Sequence, residues 1–142
     1  MRDTAEKELE LTLPMVPDIE IAAARAAGNL ARQYGMGAEK IDEMAHAIIE
    51  ACINAREHAY CADKRIYLRF IAGISPDGRL RIDIWISDHG KGFDAEARKR
   101  PRSTGSPQRR GWGLQIIEAH MDEVDIASSG EGTIVHMVKF GD

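Results

Sequence analysis

Leu80-Arg81-Ile82-Asp83-Ile84-Trp85-Ile86-Ser87-Asp88-His89-Gly90-Lys91-Gly92-Phe93-Asp94 decides how the chain is read. Leu80, Ile82, Ile84 and Ile86 recur at every second residue, the pattern of a strand with one buried face. Asp88 continues their phase. A carboxylate at the end of a buried strand face points under whatever covers the sheet, and there it needs a donor. The amino group of a nucleobase would serve. Gly90 and Gly92 let a ligand come close to the backbone. Taken by itself, the segment is equally an ordinary Asp/Gly turn.

The stretch just before it has the same period. Ile66, Leu68, Phe70, Ala72 and Ile74 alternate, and Ser75-Pro76-Asp77-Gly78 is a turn, so the two strands form a hairpin. Further upstream, Glu8 to Leu13 alternates as a first strand ended by Pro14 and Pro17. Asp18 is a candidate cap for a helix to about Tyr34, stopped by Gly35 and Gly37. Its expected apolar stripe is Ile19, Ala22, Ala23, Ala26, Leu30 and Tyr34, and the alanines suggest close approach to a neighbour. A second helix runs from about Glu39 to Ala59, with Ile41, Met44, Ala45, Ile48, Cys52, Ala55 and Ala59 at helical spacing. Downstream, residues 89–110 read as a loop and Gly113 to His120 as a helix. Val124–Ala127 and Thr133–Phe140 then close a hairpin around Ser128-Ser129-Gly130-Glu131-Gly132. The order β, α, α, β, β, loop, α, β, β predicts an α/β two-layer sandwich. Its sheet is mixed or antiparallel, with the helices on one face.

The 142 residues fit one domain, with a core over about residues 9–140. A composition 44% hydrophobic and 30% charged excludes a disordered tail or a fibrous repeat. Nineteen basic against 23 acidic residues leave a net charge of -4, which argues against a dedicated nucleic-acid binder. Cys52 and Cys61 form no CxxC pair, and no His cluster has zinc spacing. The first residues carry no apolar run of a signal peptide, and no stretch suits a membrane span. The expectation is a soluble cytoplasmic protein with no membrane or direct nucleic-acid partner.

Three further features carry chemistry. Glu50 and Asn54 lie four residues apart on the second helix and share a face, which Glu57 and His58 continue. Alone, that face also describes a solvated helix side. Arg109-Arg110-Gly111-Trp112-Gly113-Leu114 opens a helix, where exposed N–H groups suit phosphate, or where the loop simply needs flexible residues. From Ala95 to Arg110 there are six Lys or Arg and one acid, Glu96, which fits a lid over a triphosphate or a solvated loop. No GxxxxGK[ST] is present, which argues against a P-loop ATPase.

Together these segments resemble one family. Glu50-Ala51-Cys52-Ile53-Asn54-Ala55-Arg56-Glu57-His58-Ala59-Tyr60 is similar to its Asn-bearing helix, and Asp88 to Asp94 to its DxGxG box. Gly111-Trp112-Gly113-Leu114, with Met121-Asp122-Glu123-Val124 after it, is similar to its GxGL box. Gly132-Thr133-Ile134-Val135 is similar to its closing GT strand. The family is the Bergerat ATP-binding fold of the gyrase and histidine-kinase superfamily. The short form resembles the anti-sigma-factor serine/threonine kinases of the RsbW and SpoIIAB type, over about Leu9 to Phe140.

The resemblance implies ATP and Mg²⁺ as cofactors. Asp88 would bind the adenine amino group, with Thr133 supporting it. Asn54 would hold the Mg²⁺ that bridges the phosphates, and Gly90 and Gly92 would belong to the nucleotide loop. Gly111 and Gly113 would face the phosphates, with His58 and Arg110 as phosphate neighbours. Glu50 would be the catalytic base toward a protein serine or threonine, although Glu57 lies on the same face. The implied partners are an anti-sigma-factor antagonist, a sigma factor and a second copy of the chain. Tyr67 and Trp85, read as an exposed aromatic pair on the opposite strand phase, fit a homodimer. The alternatives are a switch kinase that binds no sigma factor and a non-catalytic ATP-dependent interaction module. No helical hairpin bearing an acceptor His precedes the domain, against a histidine kinase. Trp112 departs from the family pattern, and His46, His89, His120 and His136 read as structural or surface residues.

Overall fold

The computed structural model describes residues 6–58, 62–90 and 109–141, without the side chains of residues 58 and 109–113. Their elements follow in the order β1 (Lys7–Pro14), α1 (Ile19–Gln33), α2 (Ala38–His58), β2 (Arg65–Ile74), β3 (Leu80–Asp88), α3 (Arg109–His120), β4 (Glu123–Ser129) and β5 (Gly132–Phe140). The strands form one sheet in the order β1-β2-β3-β5-β4, and every neighbouring pair is antiparallel. No helix among the described residues is long and apolar enough to cross a membrane. The basic stretch read as a lid lies almost wholly outside the described residues, as do Gly92 and Cys61.

The β2–β3 hairpin forms as its alternation demands. Ile66, Leu68, Phe70, Ala72, Leu80, Ile82, Ile84 and Ile86 are all buried on one sheet face. The turn closes through Ser75 N–H to Arg79 O at 2.8 Å, with Gly78 at φ 84° where a side chain would be strained. The three helices cover this inner face, and α2 packs between α1 and α3.

That central place of α2 corrects the helix stripes. Besides Met44, Ile48, Cys52 and Ala55, α2 also buries Ala47 and Ala51. On α1 the buried set is Glu20, Ala23, Ala24, Ala27, Gly28, Leu30 and Ala31, while Ala22 is exposed. The stripe is rotated because α1 meets a helix as well as the sheet. The expected close approach is there: a Cβ on Gly28 would lie 3.2 Å from Ile41 Cγ2. The Cys52 thiol is pushed up to about 12 by burial, so it stays protonated and inert.

Asp18 stands at the N-cap of α1 but makes no side-chain cap hydrogen bond, because its φ of 70° turns the side chain away from the first turn. Arg56 of α2 ties down this end instead. It donates to Val16 O at 3.3 Å and lies 3.4 Å from Glu20 Oε1.

The outer sheet face is built rather than bare. Trp85 is half-buried under His136, whose ring is parallel to it within 2° at 4.4 Å, and Arg69 lies 5.2 Å from the indole. Tyr67 is half-buried under His89. The expectation of an exposed aromatic pair is therefore corrected, since neighbours across the sheet occupy both rings. Two of the four histidines without a sequence pattern have their place here.

Candidate functional site

Strand phase brings the site together. Asp88 ends β3 on the inner face, and antiparallel pairing sets Thr133 of β5 directly opposite. Both are buried, with Asp88 6% and Thr133 3% exposed. Ile86 and Asp88 of β3 and Thr133 and Val135 of β5 form the floor of a pocket. Ala51, Asn54 and Ala55 of α2 form one wall, and Leu114 and Ile117 of α3 the other. Small alanines on α2 leave the space, while a larger residue there would fill it.

The pocket is apolar except for Asp88, Thr133 and Asn54. Gly90 N–H donates to Asp88 Oδ1 at 2.9 Å. Burial pushes the Asp88 carboxyl above the usual carboxylate range, while the Gly90 and Thr133 backbone N–H groups pull it back. A slot of this kind suits a flat heteroaromatic ring carrying an amino donor, because the ring buries apolar area and the carboxylate accepts one bond.

Gly132 shows why the closing strand begins with glycine. Its φ is 148°, and a Cβ built there would meet the Asp88 carbonyl oxygen at 2.1 Å. Any side chain would push β3 and β5 apart at the residue pair that floors the pocket.

Glu50 and Asn54 sit one turn apart on α2, both half-buried. Asn54 borders the pocket, so the shared face is more than a solvated helix side. Glu57 is also half-buried on α2, as Glu50 is. His58 is the last residue of α2, and its side chain lies outside the described residues, as do those of Arg110 and Trp112. The helix starts at Arg109 rather than at about Gly113, so Gly111 lies within it and Gly113 is in its second turn rather than at its start. The Gly111 N–H is still one of the four that a helix start leaves without an internal partner.

Ser128 escaped the sequence reading, which put it in the closing turn. It lies one residue before the end of β4, opposite Thr133, with the two hydroxyl oxygens 2.9 Å apart. This contact orients the Thr133 hydroxyl at the pocket floor. The apolar lining was findable: Ala51 precedes Asn54 by three residues, and Ile86 and Val135 share the strand phases of Asp88 and Thr133.

Residues 16–139 match the model of the histidine kinase-like ATPase domain family. The serine-protein kinase RsbW of Bacillus licheniformis is 30% identical over 141 residues, covering 93% of this chain and 84% of that protein. RsbW of Bacillus subtilis is 27% identical over 139 residues, again covering 93% and 84%. Among solved structures, the RsbU and RsbW domains of a Mycobacterium tuberculosis protein superpose with a TM-score of 0.66 at 22% identity. That match covers 96% of this chain and 33% of the larger one. The SiaB–SiaC complex of Pseudomonas aeruginosa matches at a TM-score of 0.51 and 14% identity, over 93% of this chain and 89% of that one. At such identities the two structures speak for the fold alone. The match over most of its length places this chain in the histidine kinase-like ATPase domain family, and within it among the RsbW-type anti-sigma-factor serine kinases.

Proposed function

We propose that the chain is an ATP-dependent protein serine/threonine kinase that phosphorylates an anti-sigma-factor antagonist and alternatively sequesters a sigma factor. The observation that carries this reading is the buried Asp88 carboxylate at the floor of an apolar pocket whose wall bears Asn54, with Glu50 one turn away. Adenine would sit on Asp88 and Thr133 at the floor, with Asn54 of α2 and the first turn of α3 as the groups that would hold the phosphates. The donor set also fits Mg²⁺. Among the described residues no group of three or more His, Cys, Asp or Glu could hold a metal, so the protein offers an amide oxygen and not a cage. Mg²⁺ commonly takes one or two protein ligands and completes its shell with phosphate and water. When bound, it would neutralise phosphate charge.

The roles of the chain's own residues follow. Asp88 and Thr133 hold the base, and Asn54 orients the phosphate end. Glu50 receives the proton of the acceptor serine or threonine hydroxyl. The hydroxyl oxygen bonds to the γ-phosphorus as its bond to the β-phosphate oxygen breaks, and ADP leaves. Phosphoryl transfer of this kind rests on positioning and charge more than on covalent chemistry by the protein. Gly90, Gly92, Gly111, Gly113, His58 and Arg110 belong to the proposed nucleotide-binding set. A second copy of the chain and a cytoplasmic location complete the proposal.

The test is to incubate the protein with ATP and a candidate antagonist and to map phosphate by mass spectrometry. The expected result is one phosphorylated serine or threonine on the antagonist, and weaker binding of the phosphorylated form, since like charges repel near the γ-phosphate position. ATP-dependent binding without transfer would overturn the kinase reading in favour of a non-catalytic module.

A further inference from the structure

The residue that follows Asp88 is held on the opposite side of the sheet. His89 is mostly exposed, yet its ring stacks on Tyr67 with centroids 4.5 Å apart and planes 27° apart. Its Nδ1 lies 3.2 Å from Asp63 Oδ2. The Tyr67 hydroxyl donates to the same oxygen at 2.6 Å, and Arg65 N–H donates to Asp63 Oδ1 at 3.3 Å. Asp63 stands between α2 and β2, in a turn where Lys64 has φ 52°. The cluster thus connects three parts of the chain: the segment after α2, the open end of the β2–β3 hairpin and the residue that follows β3. The bond from the Tyr67 hydroxyl holds the Asp63 carboxyl below the usual carboxylate range, so it stays an acceptor for both partners.

Alternation makes this contact relevant to the pocket. Consecutive side chains at a strand end point to opposite faces, so fixing His89 outside fixes Asp88 inside. β3 ends at Asp88, and no ladder pairing holds residue 89. Beyond the pairing of Asp88 with Thr133, Gly90 N–H to Asp88 acts on the inner side and the His89 cluster on the outer side.

We propose that His89 is a positioning residue for the nucleotide pocket: clamped between the Tyr67 ring and the Asp63 carboxylate, it holds the backbone that carries Asp88 to the base. The inference rests on the nucleotide reading of the pocket and goes beyond it, since His89 itself touches no part of the ligand. Because the clamp acts at the base end, its loss should weaken ATP and ADP equally. A defect in the phosphate end would separate the two.

The test titrates wild type, His89→Ala, His89→Phe and Tyr67→Phe with ATP and with ADP by calorimetry, alongside thermal unfolding. His89→Ala should lose about 3- to 10-fold in affinity for both nucleotides, the size expected for one aromatic pair. His89→Phe, which keeps the stack, should recover most of that loss, which a merely destabilised fold would not predict. Tyr67→Phe, which removes only the hydroxyl to Asp63, should show a smaller loss in the same direction. Should His89→Ala bind both nucleotides within twofold of wild type, or lose affinity for ATP alone, the clamp is overturned while the pocket stands. A wild-type chain that binds neither nucleotide overturns the pocket reading, and the clamp with it.

Discussion

Asp88→Asn is expected to lower ATP affinity at least tenfold while the fold persists. The side chain is buried, and its Oδ1 already takes the Gly90 N–H. An amide must present its NH₂ either to that N–H or to the amino group of the base, and each choice sets donor against donor. A mismatched buried polar group costs about 1–3 kcal/mol, and 1.4 kcal/mol is a factor of ten. Apart from Asp88, the only polar side chains among the residues that line the pocket are Asn54 and Thr133, and neither is a carboxylate. Because burial raises the carboxyl above the ordinary aspartate range, its charged form is lost as pH falls through that raised value. Affinity should therefore weaken on acidification before an ordinary aspartate would titrate. Calorimetry on the variant reads the main effect directly, and unchanged affinity removes Asp88 from the base site.

Glu50→Gln should separate catalysis from binding. The carboxylate lies one turn from Asn54 on α2, beside the pocket rather than in its lining. The substitution keeps size and removes the proton acceptor, so phosphoryl transfer should fall by about 10²–10⁴, the usual worth of a positioned general base. ATP affinity should stay within about twofold, because the base end is untouched. Single-turnover transfer to the antagonist and nucleotide titration give the two numbers. Near-normal transfer would pass the role to Glu57, or show that no base is required.

Period-two patterns carried most of the fold. Ile86 to Asp88 and Thr133 to Val135 point inward because a strand side chain has only two directions, so one buried isoleucine fixes every second neighbour. The pairing of Asp88 with Thr133 needed only that β3 and β5 be neighbours. Helices were less legible. Ala22 and Ala24 of α1 lie two positions apart and do not differ in chemistry, and only the arrival of α2 decides which is buried. The same holds for Ala47 and Ala51, buried because α3 covers the second side of α2.

Polar residues buried by long-range partners were illegible for a related reason. Lys139 follows the inward phase of β5 and is 3% exposed. Its ammonium donates to Glu43 Oε2 at 2.7 Å and also bonds the His120 carbonyl at the end of α3. Nothing local in Val138-Lys139-Phe140 announces a partner 96 residues away. Glu20 is similar, since its partner Arg56 comes from another helix. The start of α3 falls at Arg109, before the expected Gly113, because the glycine at 111 with its low helix propensity does not end the helix there.

The account turns on a buried carboxylate that accepts a hydrogen bond from the amino group of adenine. Guanine carries an oxygen at the corresponding position, so the buried carboxylate would face another acceptor. Competitive titration of the wild-type protein with ATP and GTP, both with Mg²⁺, tests this directly. ATP should bind at least about a hundredfold more tightly, because a site built to pair a buried polar group rejects the ligand that leaves it unpaired. Equal affinities for the two nucleotides would contradict the account.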